Sequence, residues 1–183
     1  MRVIAGSAGG IPLQVPKHAV RPTSDRVRES LFSILGESVN QARVLDLFAG
    51  AGGLGIEALS RGAESAVFVE KHRPTSEFIR RNLEKAKLHS KGTIAIQEVD
   101  RFLKGSMATF DLIFADPPYA KGKDEENLAF GLLENEDLLN RIAEEGLLIL
   151  EAAHPAPEPT AENWQVVDHR RYGATAIWIL QKK

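Results

Sequence analysis

Three short apolar runs, each containing or running into an acid, constrain this chain more than any other feature. Residues 44–47 contain Asp46, residues 66–69 run into Glu70, and residues 110–115 run into Asp116. Runs of four to six apolar residues bounded by turn signals read as buried strands. Segments of helical periodicity separate them, near residues 54–60 and 74–88. A third strand is expected at 93–97, a helical region over 126–143 and a fifth strand at 147–151. Alternation of this kind implies a parallel sheet with helices on both faces. The end departs from it: residues 166–170 and 174–180 flank a turn at Tyr172-Gly173, so the last pair is expected to be an antiparallel hairpin.

The first twenty residues differ in character. Residues 2–5 and 13–15 read as two short strands around the glycine-rich turn Gly6 to Gly10, a hairpin outside the main domain. The expected organisation is therefore an extension over 1–20 and one α/β domain over 21–183. Thr23 or Ser24 would cap a helix whose apolar face is Val27, Leu31, Ile34 and Leu35. In the segment 74–88, Pro74 sits near the first turn and Phe78, Ile79, Leu83 and Ala86 form the core face.

Composition excludes several classes. The 183 residues are 43% hydrophobic and 26% charged, which rules out general disorder. There is no cysteine, so disulfides, thiolate metal sites and cysteine nucleophiles are excluded. No stretch approaches a membrane span, and the N-terminal apolar run is shorter than a signal-peptide core. A cytoplasmic protein without membrane contact is expected. The net charge of −2 argues against non-specific coating of nucleic acid. Charge is nevertheless segregated: residues 1–35 carry five bases against two acids, 71–91 seven against two, and 121–163 three against eleven. Such a chain can hold a basic face that the total conceals.

Two constellations carry chemistry. In Asp46-Leu47-Phe48-Ala49-Gly50-Ala51-Gly52-Gly53-Leu54-Gly55, the glycines at 50, 52 and 55 satisfy G-x-G-x-x-G after a strand, and Glu70 follows twenty residues after Gly50. Glycine there lets backbone approach a ligand closely. An acid at the end of the second strand would hold a ribose diol. The bland alternative is a tight strand-to-helix turn with a capping aspartate. Asp46, directly before the glycines, is ill-suited to a pyrophosphate and suits a ligand carrying an amino group and a sulfonium charge, such as S-adenosylmethionine.

The second is Asp116-Pro117-Pro118-Tyr119. With proline near 5% of residues, this pattern arises by chance in roughly a few sequences per thousand. The prolines fix the backbone and remove donors, leaving the Asp116 carboxylate and the Pro117 carbonyl as acceptors. A planar exocyclic amine offers two N–H donors to such a pair. Accepting both draws its lone pair out of the ring and aims it at a methyl donor, while Tyr119 gives the base a ring to stack on.

With these residues the chain resembles the class I S-adenosylmethionine-dependent amino-methyltransferases. The block from Arg21 to Phe32 and the run from Leu45 to Ala63 narrow the resemblance to the RsmD-like family, bacterial methyltransferases of the guanine N2 amine in 16S ribosomal RNA. The resemblance implies a Rossmann-like fold, a seven-stranded mostly parallel sheet with an antiparallel last strand plus a small N-terminal β-hairpin. It implies S-adenosylmethionine as cofactor, S-adenosylhomocysteine as product, and a small subunit or its assembly intermediate as partner, met by a monomer. Asp116, Pro117, Pro118 and Tyr119 would be catalytic. Asp46, Phe48, Ala49, Gly50 and Gly52 would line the methionine part, Glu70 the ribose, and Thr23 and Asp25 the amino-acid end. Counting back from Phe102-Leu103, Glu98 is the first choice to meet the adenine and Asp100 the second. Arg2, Lys17, Arg21, Arg26, Arg28 and Lys121 would face RNA. The hairpin turn reads Ser7-Ala8-Gly9-Gly10, where the family carries arginine and an aromatic.

Other readings share parts of this pattern. An N6-adenine-specific DNA methyltransferase uses the same second motif, an NAD-binding oxidoreductase the same glycines and Glu70. A non-catalytic binding module is a further alternative. The histidines 18, 72, 89, 154 and 169 do not cluster at ligand spacing, so no metal is expected and they are read as surface residues. Trp164 and Trp178 read as core, and Arg80, Arg81, Lys85 and Lys87 as a solvated helix face.

Overall fold

The computed structural model describes residues 1–16, 24–118, 128–155, 159 and 161–183. Seven strands form one sheet: β1 Arg43–Leu47, β2 Ser65–Val69, β3 Gly92–Ala95, β4 Phe110–Ala115, β5 Ile142–Ala153, β6 Trp164–Tyr172 and β7 Thr175–Lys182, in the order β3-β2-β1-β4-β5-β7-β6. The pairs among β1 to β5 are parallel, and β7 runs antiparallel to both β5 and β6. The helices are α1 Asp25–Leu35, α2 Gly53–Ser60, α3 Arg73–Lys85, α4 Val99–Gly105, α5 Leu128–Gly131 and α6 Glu136–Leu139.

Strand periodicity divides the core into two layers. Val44, Phe68, Leu112, Phe114 and Ile177 pack with Leu31, Phe32, Ile56, Leu59, Ile79 and Leu83 of α1, α2 and α3. Leu45, Leu47, Val69, Ile113, Leu148 and Trp178 pack with Val99, Leu103, Ala129 and Leu138 of α4, α5 and α6. The Phe32 and Phe114 rings meet at 5.7 Å, pinning α1 to β4. Among the described residues, no helix is long and apolar enough to cross a membrane.

Two regions differ from the sequence expectation. The helix expected over 126–143 is broken into α5, a 3-10 turn at Leu132–Glu134 and α6. Asn135 caps α6 through its side chain, accepting from the Leu138 N–H, and an N-cap cannot lie inside a continuous helix. Strand β5 then begins at Ile142, opposite Phe110, and a bulge lets Leu147 pair with Leu112. The N-terminal ladder is likewise shorter than expected, a single bridge between Arg2 and Pro12. Four backbone donors there go elsewhere: Ile4 and Ala5 to the Glu57 carboxylate at 2.7 and 3.1 Å, Ser7 to the Ser60 carbonyl at 2.7 Å, and Ala8 to the Ser60 hydroxyl at 2.9 Å. Val3, Ala8 and Leu13 are buried in the same core as α1, α2 and α3. The described N-terminal residues thus lie against α2 and α3 instead of projecting as a separate extension.

Candidate active site

The sheet order turns at β1. From β1 the chain proceeds outward to β2 and β3, while β4 pairs on its other side and leads to β5. The loops after β1 and β4 therefore part in opposite directions and leave a crevice at the carboxyl edge, where ligands of open α/β sheets bind. Asp46 is opposite Phe114, and Leu47 opposite Ala115. The glycine loop and Asp116-Pro117-Pro118 consequently leave the sheet from neighbouring strands, with Glu70 following β2 on the other flank.

The glycine loop is shaped from behind. Phe48 has φ +57, Gly50 φ +55 and Gly52 φ +82. A bulky residue in the left-handed region costs roughly 1–3 kcal/mol and persists only where its surroundings impose it. The Ala49 N–H donates to the Val69 carbonyl at 3.0 Å and the Gly52 N–H to the Ala49 carbonyl at 2.7 Å. A Cβ on Gly55 would lie 2.4 Å from Phe68 Cε1, and one on Gly52 would lie 3.1 to 3.3 Å from Ile56, Ile79 and Phe68. These two glycines allow α2 to approach β2. Gly50 is different: a Cβ there meets nothing nearer than the Phe48 carbonyl at 4.0 Å, so this part of the loop opens outward.

Two acids hold the loop. Gly52, the N-cap of α2, has no side chain to satisfy the first turn. Asp46 does so from the adjacent strand, its Oδ2 accepting from the Gly55 N–H at 2.9 Å. Glu70 accepts from the Gly50 N–H at 3.0 Å through one oxygen and from the His72 N–H at 2.8 Å through the other. Asp46 is 2% exposed and Glu70 8%. Burial pushes the Asp46 carboxyl up to about 7; the Gly55 N–H opposes the rise and the Glu70 charge adds to it. With Asp116 directly after β4, three acids stand at this edge of the sheet. Lys71, beside Glu70 in sequence, is turned to Glu98 at 3.5 Å. Such a set of acceptors repels a pyrophosphate and takes hydroxyl donors or a cation. An outward-opening glycine cradle flanked by acceptors fits S-adenosylmethionine, which brings a ribose diol, an ammonium and a sulfonium.

The remaining expected residues separate into groups. Glu98 and Asp100 both stand at the start of α4, beyond β3. Glu98 precedes the helix and Asp100 lies in its first turn, where its carboxylate accepts from Asn135 Nδ2 at 3.4 Å. Asp25 faces Arg28 at 2.8 Å and Arg2 at 3.5 Å. Partial burial raises its carboxyl, but the Arg28 hydrogen bond and charge outweigh this and hold it below the usual range. Arg2 and Arg26 are exposed. Arg28 is a correction. Expected on an RNA-facing surface, it is 1% exposed. Its guanidinium donates to the carbonyls of Gly53 and Arg2, bonds Asp25, and lies 3.6 Å from Glu57. It braces the N-terminal segment and α2 and has no face left for RNA. Lys17, Arg21, Thr23, Tyr119 and Lys121 lie outside the described residues.

Sequence reasoning missed three buried polar residues behind the loop. Asn82 of α3, 0% exposed, donates to the carbonyls of Ala51 and Gln14 at 3.0 and 2.9 Å and accepts from the Gln14 N–H at 2.8 Å. Glu57, 0% exposed, holds Ile4, Ala5 and Arg61. Ser60 holds Ala5 and Ala8. Arg28 carried a legible signal: it sits three and four residues before Leu31 and Phe32, on the apolar stripe of α1. Glu57 sits between Ile56 and Ala58 in a helix buried on nearly every side.

Comparison with known proteins agrees with this geometry. The family model described as Conserved hypothetical protein 95 matches residues 1–181. The chain is 35% identical over 185 residues to the Ribosomal RNA small subunit methyltransferase D of Escherichia coli K12, covering 100% of this chain and 90% of that protein. The corresponding methyltransferase D of Haemophilus influenzae is 34% identical, with 99% and 93% covered. The solved structure of the Escherichia coli protein yhhF superimposes with a TM-score of 0.84 at 34% identity, covering 100% of this chain and 98% of that one.

Proposed function

The chain belongs to the Conserved hypothetical protein 95 family, and from that premise we propose that it methylates 16S ribosomal RNA, on the exocyclic N2 amine of a guanine, with S-adenosylmethionine as methyl donor. The observation that carries this reading is the adjacency of two structures on neighbouring strands: an acid-flanked glycine cradle after β1 and Asp116-Pro117-Pro118 after β4. Relatives about 35% identical along the whole chain are named small-subunit rRNA methyltransferases. The protein acts in the cytoplasm as a monomer, on the small subunit or its assembly intermediate.

The residues divide the work. The Gly50–Gly52 backbone, supported from below by Asp46, faces the methionine end of the cofactor, with Phe48 and Ala49 shaping the turn. Glu70, already oriented by the Gly50 N–H, accepts from the ribose hydroxyls. Glu98 or Asp100 meets the adenine, and the amino-acid end is assigned to Thr23 and Asp25. S-adenosylmethionine held there would supply a methyl group on a sulfonium; the amine nitrogen would bond to the methyl carbon in line as the carbon–sulfur bond breaks, with S-adenosylhomocysteine as the leaving thioether. The Asp116 carboxylate and Pro117 carbonyl accept the two amine hydrogens, which frees the lone pair for attack. Asp116 then faces the cationic nitrogen until its surplus proton is lost to solvent, an electrostatic contribution aimed at charge that develops during transfer. Tyr119 stacks on the base. The base has to be splayed from its neighbours to reach the crevice.

Substitution Asp116→Ala tests the assignment. S-adenosylhomocysteine affinity by calorimetry stays within about threefold, while methyl transfer falls by about 10²–10³, the loss typical of one oriented group at developing charge. Turnover equal to the parent protein would overturn the proposed role of Asp116.

A further inference from the structure

The β6–β7 hairpin carries polar groups that the reaction above does not use. Its register brings them to the catalytic edge. Ala115 of β4 pairs with Leu150 of β5, Leu150 with Trp178 of β7, and Trp178 with His169 of β6. His169 thus lies in the row that ends β4. Arg170 and Arg171 lie one and two rows beyond it, toward the edge that Asp116 and Pro117 occupy. Three strand spacings separate β6 from β4, about 14 Å.

Two of these residues form a surface of defined chemistry. His169 is exposed, and its ring lies flat on the buried Trp178, with centroids 4.9 Å apart and planes 4° from parallel. Arg171, two residues on, points to the same face of the sheet, since its partner Ala176 belongs to the Trp178 layer. That face also carries α5, whose Phe130 meets Trp178 edge-on at 5.7 Å. The Arg171 guanidinium is exposed, and among the described residues its charge has no carboxylate partner. It is steadied by His154 Nε2 at 2.7 Å, which accepts because a guanidinium only donates. Its neighbour Arg170 is paired with Asp168 at 3.0 Å. Charged residues on an edge strand often serve only to prevent strand pairing. Such a guard needs charge alone; it does not need an exposed ring held parallel to a buried tryptophan beside an uncompensated guanidinium.

We propose that His169 and Arg171 form an RNA-docking surface, His169 as a stacking platform for an unpaired base and Arg171 as a contact to its phosphate, which holds the strand flanking the target. The inference rests on the rRNA reading above and names the part of the protein that grips the RNA away from the reacting base. A ring and a guanidinium at i and i+2 of one strand match the two features every nucleotide offers, a π-face and a charge.

The test measures binding apart from catalysis. Equilibrium affinity for naked 16S RNA is titrated against salt for the parent, Arg171→Ala, His169→Ala and His169→Phe proteins, with S-adenosylhomocysteine binding as the folding control. Arg171→Ala lowers RNA affinity several-fold at 0.1 M salt and reduces the salt slope by about one. His169→Ala lowers affinity about tenfold, the low end for one base stack; His169→Phe restores it. In turnover the KM for RNA rises with kcat unchanged. Parent-like RNA affinity and slope in both alanine variants would overturn the surface while leaving the rRNA reading intact. Loss confined to assembled subunits, with naked RNA bound normally, would assign the face to a ribosomal protein and overturn it too. A parent protein that binds neither naked 16S RNA nor small subunits would overturn both.

Discussion

The burial of Asp46 has a large thermodynamic consequence. Its carboxyl rises from an ordinary value of 3.8 to about 7 in the folded chain. That difference of about three pH units corresponds to about 4 kcal/mol at 1.36 kcal/mol per unit. The sign follows from proton counting. Between pH 4 and 7 the folded state keeps a proton that the unfolded state has released, so stability falls as pH rises through that window and is lowest above pH 7. Asp46→Asn keeps an oxygen for the Gly55 N–H and carries no charge. At pH 4 both side chains are neutral in the folded state. At pH 8 only the aspartate carries the cost of a buried charge. The stability difference between the two proteins should therefore shift in favour of asparagine by about 2–4 kcal/mol from pH 4 to pH 8, the lower figure allowing for relaxation around the ion. Urea denaturation of both proteins at pH 4, 6 and 8 measures this, and other titrating groups cancel in the difference. A difference that stays constant with pH would refute the reasoning.

Two further perturbations follow from the packing behind the loop. Gly55→Ala places a Cβ 2.4 Å from Phe68 Cε1 and 3.1 Å from Asp46 Oδ2; overpacking of this kind costs about 1–3 kcal/mol, and the displaced α2 should weaken S-adenosylhomocysteine binding at least tenfold by calorimetry. Arg28→Met removes the cation among Asp25, Glu57 and two carbonyls, and loss of one member of a buried ion pair costs about 3–5 kcal/mol; limited proteolysis should then cleave the N-terminal segment far faster, with resistance equal to the parent as the contrary result.

The sheet was legible because its strands are short, apolar and separated by helices of clear periodicity. The acids that end them, Asp46, Glu70 and Asp116, all stand at the carboxyl edge of the sheet, as their places in the sequence imply. Where the reading failed, a local signal was overridden by a distant one. Residues 1–20 read as a separate hairpin because the glycine turn favours one, yet the donors of Ile4 and Ala8 are claimed by Glu57 and Ser60, more than fifty positions away. Arg28 looks like a surface cation by residue type, but its position on the α1 stripe buries it. The segment 126–143 has helical composition, and only the capping of Asn135 and the pairing of Ile142 with Phe110 reveal that it breaks. The structural part played by Asp46 was half visible: an acid before the glycines was read as a ligand contact, whereas its bond to Gly55 makes it first the cap of α2.

The central claim is that the crevice between β1 and β4 moves a methyl group to a guanine of small-subunit RNA. Its most direct test is transfer of labelled methyl from S-adenosylmethionine to small ribosomal subunits lacking their native methylation, with naked 16S RNA and duplex DNA in parallel and nucleoside analysis of the product. The account predicts label recovered as N2-methylguanine in the ribosomal RNA and none in DNA. Label recovered as N6-methyladenine in DNA, or no label in any substrate from protein that binds S-adenosylhomocysteine, would contradict it.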